Sequence, residues 1–201
     1  MIMACLECGL EWQCLCSAVP SLTGPLTLSL LMHENEYQRE TNTGRWLVKA
    51  LPDCADYLWQ RRTPPTALLE RLNDPGYYSL LIYPSEHSEP VEQHLQHAQD
   101  NGQIPHFIVL DGTWQEAKKM LRKSAWLNLP HAHLTTMQTS HYQLRRNQQT
   151  GHLCTLEVAS ELLKHIHQPQ QAQALTDFLD TFMKTLQADK SGHRLREHSL
   201  T

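Results

Sequence analysis

The sequence lacks a long hydrophobic run. Its longest apolar stretch after the first residues, 26–32, is far too short for a transmembrane helix, which needs about 20 apolar residues. The first five residues, Met-Ile-Met-Ala-Cys, also lack the basic stretch and apolar stretch of a secretory signal. We therefore expect a soluble, cytoplasmic protein that has no membrane partner.

An excess of positive charge is absent too. The 17 lysines and arginines stand against 21 aspartates and glutamates, for a formal net charge of -4. Such a chain has no overall attraction for nucleic acid, which argues mildly against an RNA partner. Any contact with RNA therefore has to come from local basic clusters.

Cysteine is scarce along most of the chain but concentrated at its start, where four of the six cysteines lie within the first sixteen residues. In a reducing compartment this crowding favours metal ligation over disulfides, and two close thiolate pairs commonly hold a tetrahedral zinc ion. Four protein ligands leave no open position, so the expected zinc is structural. The alternative is a cluster of buried structural cysteines. The predicted ligands are Cys5, Cys8, Cys14 and Cys16.

The remaining chain alternates short apolar runs with helical patterns. We predict strands at 26–32, 79–83, 106–110 and 132–137, and helices that begin after Thr43, Pro65, Pro90, Trp114 and Thr155. This alternation is typical of an α/β fold with a mostly parallel sheet covered on both faces. We expect a zinc-binding segment and linker at 1–25, the main α/β domain at 26–187 and a disordered tail at 188–201.

One turn, Leu110-Asp-Gly-Thr-Trp114, follows the apolar run 106–110 directly. The carboxyl ends of strands in open α/β sheets are where ligands bind, so this position favours a functional site. Thr113 and Glu116 also have the spacing of a helix capping box, and on position alone the two interpretations are equally supported.

Six short motifs occur in a fixed order along the chain and decide between these interpretations. The motifs are His33-Glu34-x-Glu36, Thr41-Asn-Thr-Gly-Arg45, Tyr83-Pro-Ser85, Asp111-x-Thr-Trp114, Tyr142-x-Leu-Arg-Arg146 and Cys154-Thr-Leu-Glu157. This ordered set closely resembles the DTW-domain family over nearly the whole chain. The resemblance implies a SPOUT-like α/β domain with a C-terminal knot. It also implies a tRNA-uridine aminocarboxypropyltransferase that uses S-adenosylmethionine as co-substrate.

The resemblance also implies which residues form the site. Asp111 is the candidate general base. The residues expected to bind S-adenosylmethionine are Pro84, Ser85, Gly112, Thr113, Trp114, Thr155 and Glu157. Glu157 has the alternative role of capping its helix, and the amides near Thr155 are a candidate site for the methionine carboxylate.

Two basic clusters are candidates for tRNA binding, because guanidinium groups suit phosphates. The first comprises Arg39, Arg45, Lys49, Arg145 and Arg146. The second comprises Lys118, Lys119, Arg122 and Lys123, on the helix that leaves the Asp111 turn. Each also has an ordinary explanation as a solvated helix face.

Alternative functions remain open at this point. They are the same transfer to ribosomal RNA, methyl transfer by a SPOUT-like site, and a zinc-containing RNA-binding adaptor without catalysis. Retention of Asp111, Thr113 and Trp114 together counts against the adaptor. Nothing in the sequence indicates an obligate protein partner.

Overall fold

The computed structural model describes residues 3–135, 140–144 and 153–195. In these ranges the strands are β1 (Thr27–Met32), β2 (Cys54–Leu58), β3 (Tyr77–Ile82), β4 (Glu89–Pro90), β5 (Ile104–Asp111) and β6 (His131–His133). The helices are α1 (Gly44–Ala50), α2 (Thr66–Leu72), α3 (Val91–Asp100), α4 (Trp114–Lys123), α5 (Thr155–His165) and α6 (Pro169–Lys190).

The six strands form one sheet in the order β2-β1-β5-β3-β6-β4, and every neighbouring pair is parallel. The predicted α/β fold with a parallel sheet is therefore confirmed. Because all strands run the same way, their carboxyl ends share one edge. The end of β1 at Met32 pairs with the end of β5 at Asp111, which brings the first motif beside the fourth.

Alternate residues of the central strands pack on opposite faces of the sheet. Phe107 and Val109 join a core cluster with α1, α5 and α6, whereas Ile108 and Leu110 join a second cluster with α2 and α4. This period of two explains why the run 106–110 is apolar at nearly every position, since both faces are buried.

The predicted elements agree with the structure except at the sheet edges and the last strand. Strand β2 was missed, because Cys54–Leu58 is an edge strand of mixed polarity and is mostly half-buried. The predicted strand 132–137 corresponds to His131–His133, and its last residues, 136 and 137, lie outside the described residues. The two-residue strand β4 carries no sequence signal of its own.

The cysteine segment, residues 5–16, packs on the main core. Cys8, Leu10, Leu15 and Leu22 are buried in the same cluster as α1, α5 and α6. Helix α6 ends at Lys190, beyond the predicted tail boundary at 187, and the Arg194 Nε donates to the Trp12 carbonyl (2.8 Å). The beginning and the end of the described chain therefore support each other.

The predicted C-terminal knot would involve the segment 144–157. Residues 145–152 of that segment lie outside the described residues, so the knot stays a prediction. None of the helices in the described ranges has the length and apolar character of a membrane span.

Candidate active site

The turn that follows β5 is held in one shape by a capping box. The Thr113 Oγ1 accepts a hydrogen bond from the Glu116 amide, and Glu116 Oε2 accepts from the Thr113 amide (2.8 Å) and hydroxyl (2.9 Å). A side chain at Gly112 would lie 3.1 Å from the Glu116 Cβ, which is tighter than usual packing. The predicted capping role of Thr113 and Glu116 is confirmed, and it fixes the orientation of the turn.

Asp111 lies beneath this turn at the centre of three motifs. Its side chain is buried, with 2% of the residue exposed. The Oδ1 atom accepts a hydrogen bond from the Thr155 hydroxyl (2.5 Å), and Oδ2 accepts one from the Asn42 amide group (2.7 Å). The start of α1 is also close, since a Cβ added to Gly44 would overlap Asp111 Oδ2. Asp111 therefore joins the end of β5 to the starts of α1 and α5.

A second group of polar side chains extends from Asn42 to the capping box. The Asn42 Nδ2 also donates to the Oε2 of buried Glu36 (2.8 Å), and Arg39 pairs with the other oxygen of Glu36. Arg39 then donates to both oxygens of Glu116 (2.7 and 2.9 Å). These contacts, from Asp111 through Asn42, Glu36 and Arg39 to Glu116, form one carboxylate network.

The carboxylate network keeps Glu116 ionised. Burial alone would raise the pKa of the Glu116 carboxyl, but bonds from Arg39, the Thr113 amide and Asn35 hold that pKa well below its usual range. The bonds to Glu116 in turn raise the pKa of the Arg39 guanidinium above its usual value. Arg39 therefore uses its charge to bind Glu36 and Glu116, although its side chain is 29% exposed.

The other members of the first predicted RNA cluster also have intramolecular partners. Arg45 donates to the Glu7 carbonyl (2.8 Å) and lies over the Trp46 ring, and Lys49 pairs with the Glu7 carboxylate (2.5 Å). Both side chains hold the cysteine segment on α1. Arg145 and Arg146 lie outside the described residues.

The β3 motif reaches the Asp111 turn through Tyr83, whereas the predicted cofactor residues Pro84 and Ser85 follow Tyr83 in the chain. The Tyr83 ring centroid is 6.1 Å from that of Trp114, which places the end of β3 next to the start of α4. The Ser85 hydroxyl forms a hydrogen bond with His131 Nδ1 (2.9 Å), and Pro84 is exposed. Tyr83 and Trp114 are both half-buried, so part of each residue is open to solvent.

Glu157 caps the start of α5, as its alternative interpretation predicted. It accepts hydrogen bonds from the Cys154 amide (2.7 Å), the His141 amide (2.7 Å) and the Ser140 hydroxyl (2.7 Å). A carboxylate thus already lies at the helix start where the methionine carboxylate was expected. Thr155, by contrast, points its hydroxyl at Asp111.

Three buried residues, Glu36, Asn42 and Tyr142, belong to the sequence motifs but had no predicted role. The Tyr142 hydroxyl donates to the Thr41 carbonyl (2.5 Å), and the other two lie in the carboxylate network. The sequence signal for these residues was their polar side chains within the motifs. A polar group that becomes buried needs a hydrogen-bond partner. The sequence did not identify those partners, which lie up to 101 positions away.

The four N-terminal cysteines converge as the metal prediction requires. Their sulfur atoms all lie within 4.8 Å of one another, with 3.5 Å between Cys5 and Cys14 and 4.0 Å between Cys5 and Cys16. Tetrahedral Zn–S bonds of about 2.3 Å place sulfurs roughly 3.8 Å apart, so the thiols fit a zinc ion. Gly9 has a φ of 77°, and its amide donates to the Cys5 carbonyl (2.8 Å), which closes the turn around Cys5 and Cys8.

Comparison with known proteins shows the family of the chain. Residues 2–187 match the DTW domain, and the chain belongs to that family. The chain is also similar to the mouse (Mus musculus) protein named tRNA-uridine aminocarboxypropyltransferase 2. The two are 28% identical over 196 residues, covering 90% of this chain and 61% of the mouse protein. The chain thus spans less than two thirds of that relative's length. No solved structure matches.

Proposed function

We propose that this protein is a tRNA-uridine aminocarboxypropyltransferase. It moves the 3-amino-3-carboxypropyl group of S-adenosylmethionine to N3 of a tRNA uridine and releases 5'-methylthioadenosine. The observation that carries the proposal is the convergence on Asp111 of Asn42 and Thr155, which belong to motifs at the starts of α1 and α5. Family membership and the name of the mouse relative support the reaction class.

The reaction breaks one bond and forms another. The uridine N3 attacks the methylene carbon of the aminocarboxypropyl arm beside the sulfonium, and the electrons of the C–S bond pass to sulfur. The sulfonium becomes a neutral thioether, and the N3 proton leaves with a base. Because the methyl, ribosyl and aminocarboxypropyl carbons are all bonded to the same sulfur, the site must align one arm in particular with N3.

We propose Asp111 as the proton acceptor. A carboxylate offers roughly four lone-pair positions, so it can accept the N3 proton while it holds Thr155 and Asn42. Those same two bonds make Asp111 a positioning group for the starts of α1 and α5. Both roles require an ionised carboxylate in a fixed orientation.

The residues proposed to contact S-adenosylmethionine line the ends of β3 and β5 and the start of α5. In this proposal Trp114 supplies an aromatic surface, and Gly112 allows close approach of the backbone. Thr155 and the Pro84-Ser85 turn complete the lining, while Glu157 acts by holding Ser140 and His141 at the helix start. We also propose that the fold is SPOUT-like and knotted through the segment 144–157.

We propose a structural zinc ion on Cys5, Cys8, Cys14 and Cys16. Four thiolates fill a tetrahedral shell, so a zinc ion there supplies stability rather than a Lewis acid. Its place in the fold agrees with this role, because Cys8 and Leu10 of the same segment are buried in the main core.

Nucleoside mass spectrometry tests the proposed reaction. Unmodified tRNA incubated with the protein and S-adenosylmethionine should yield a uridine that carries an aminocarboxypropyl group. Asp111→Asn should lose at least about 100-fold in rate, the lower end of general-base effects. The matched control Asp56→Asn changes a β2 aspartate that accepts a hydrogen bond from the Tyr37 hydroxyl (2.7 Å), and it should keep full activity.

Each other outcome has a definite meaning. A methylated nucleoside would show methyl transfer. Product on ribosomal RNA alone would show that the substrate is ribosomal RNA and not tRNA. RNA binding without S-adenosylmethionine binding would favour the adaptor. A folded Asp111→Asn variant with full activity would exclude Asp111 as the base.

A further inference from the structure

The basic side chains of the described residues fall into two sets that differ in their intramolecular partners. Arg39, Arg45 and Lys49 are all held by intramolecular acceptors. A different set has no ion pair or side-chain hydrogen bond within the described part of the chain. This set, called the α4 basic surface, is Arg61, Arg62, Lys118, Lys119 and Arg122, and all five residues are exposed.

We infer that the α4 basic surface binds the phosphate backbone of the substrate RNA. The inference rests on the proposed function and gives it a binding face. These five cations have no acidic partner among the described residues, so they hold a local positive potential in a chain whose formal net charge is -4. Phosphates are the acceptors that such a surface fits, because each neutralised phosphate releases bound counterions.

Trp59 joins the two parts of this surface. Its Nε1 donates to the Ser124 hydroxyl at the end of α4 (2.8 Å), and the Lys119 Nζ lies 5.8 Å from its ring centroid. Arg61 and Arg62 follow Trp59 by two and three positions, which limits their separation from it to roughly 7 and 11 Å along the backbone. The start of the β2–α2 loop therefore packs against α4, so the two sets of cations belong to adjoining parts of the fold.

The same surface begins at the candidate active site. Trp114 is the first residue of α4, and Lys118 and Arg122 follow it by four and eight positions. On an α-helix these positions lie on one side, roughly 6 and 12 Å from Trp114 along the axis. His33, which stacks on Trp59 at 5.8 Å, donates its amide to the Asp111 carbonyl (2.9 Å). A uridine whose N3 reaches the Asp111 turn thus has the α4 cations beside its neighbouring phosphates.

Helix stabilisation alone does not explain this pattern. Cations in the last turn of a helix interact favourably with its dipole, which accounts for Arg122 and Lys123. Lys118 and Lys119 lie in the middle of α4, and Arg61 and Arg62 lie in the loop before α2. These four cations lie outside the last turn and lack intramolecular ion pairs among the described residues.

The test compares two double variants that remove the same charge. Lys118→Gln with Arg122→Gln alters the α4 basic surface. Lys164→Gln with Lys190→Gln alters two surface lysines that pair with Glu161 and Glu40. The measurement is the affinity for unmodified tRNA between about 50 and 200 mM salt, a range over which phosphate contacts lose most of their strength. Product formation at saturating tRNA is measured in parallel.

We expect the α4 variant to weaken tRNA binding at least tenfold. The slope of log affinity against log salt should decrease by about 2, because each of the two removed cations leaves one phosphate without its neutralising charge. The control should change affinity less than twofold.

Unchanged affinity and salt slope in the α4 variant would exclude RNA binding by the α4 basic surface. If product still forms, that result would leave the proposed reaction unaffected. A wild-type protein that binds tRNA by these residues yet forms no product would uphold the surface and reject the reaction. Binding of the α4 cations to anionic lipid vesicles instead of tRNA would also overturn the inference.

Discussion

Arg39 lies between two carboxylates, one of them buried, beneath the turn that starts α4. It bonds Glu36 on one side and both oxygens of Glu116 on the other. Its planar guanidinium suits this arrangement, since two parallel N–H bonds fix Glu116 in orientation as well as charge. Glu116 in turn holds Thr113, so Arg39 positions the candidate active site without facing solvent fully.

Arg39→Gln should lower the free energy of unfolding by about 2 kcal/mol, because it removes charged hydrogen bonds from buried and half-buried carboxylates. Arg39→Lys keeps the charge but loses the two-pronged contact, so its stability should fall between wild type and Arg39→Gln. Urea denaturation measures both. Arg61→Gln changes an exposed arginine that has no ion pair among the described residues. As the control, it should change the stability by less than about 0.5 kcal/mol.

The kinetics of the Arg39→Lys variant distinguish a positioning role from RNA binding. A positioning role predicts a lower kcat with nearly unchanged affinity and salt dependence for tRNA. The RNA-binding role inferred from the sequence predicts the opposite, a weaker affinity and a smaller salt slope. Finding the second pattern would contradict the role of Arg39 in the carboxylate network.

The buried His106 should make the stability of the protein depend on pH. It is fully buried in β5, and its two ring nitrogens form hydrogen bonds with the hydroxyls of Ser29 (2.7 Å) and Ser79 (2.8 Å). Burial, with a contribution from Arg71, lowers the pKa of His106 to about 4. The fold therefore favours the neutral ring.

Stability should consequently fall as the pH drops from about 6.5, the ordinary pKa of histidine, towards about 4. In this range the unfolded chain gains a proton at His106 that the folded chain does not. The free energy of unfolding should therefore be lower by about 3 kcal/mol at pH 4 than above pH 6.5. His106→Gln should remove this part of the pH dependence, as urea denaturation across the pH range would show. Identical slopes for wild type and variant between pH 6.5 and 4 would exclude the burial effect.

At the scale of secondary structure, the cysteine segment links the two ends of the described chain. Asp189 near the end of α6 accepts from the amides of Glu11 (2.9 Å) and Trp12 (2.7 Å). Lys49 on α1 pairs with Glu7 and holds the pKa of that carboxyl below its ordinary value. The segment is therefore fixed by two helices as well as by its proposed metal.

Metal removal should loosen this segment before it affects the site. Chelation, or Cys14→Ser, should increase proteolysis within the first sixteen residues and lower the Tm, because Leu10 and Leu15 lose part of their packing in the main core. Cys54→Ser, which changes a cysteine of β2, is the control and should keep the metal. Metal analysis showing no bound zinc in the wild-type protein would contradict the proposed site.

Most helices and strands were predictable, because the signals for them lie in short stretches of the sequence. Helices α1 to α5 begin within one residue of the predicted positions, and β5 was evident from its continuous apolar run. Strand β2 was not predictable, since an edge strand buries little and alternates weakly. The partners of Arg39 were not predictable either, because Glu116 lies 77 positions away and only the folded sheet brings the two together.

At the scale of the whole molecule, the two faces of the sheet have different roles. The face with α1, α5 and α6 holds the cysteine segment, whereas the face with α2 and α4 presents the α4 basic surface. The candidate active site lies at the carboxyl edge between them, where β1 and β5 end side by side. This division explains how a chain of net charge -4 presents a basic face beside its site.

The by-product of the reaction tests the central proposal most directly. Purified protein is incubated with S-adenosylmethionine, with and without unmodified tRNA, and the nucleosides released from the co-substrate are separated and identified by mass. Transfer of the aminocarboxypropyl arm to uridine predicts 5'-methylthioadenosine that forms only with tRNA, in equal amount to the modified uridine. Formation of S-adenosylhomocysteine, or of methylthioadenosine at the same rate without tRNA, would contradict the proposal.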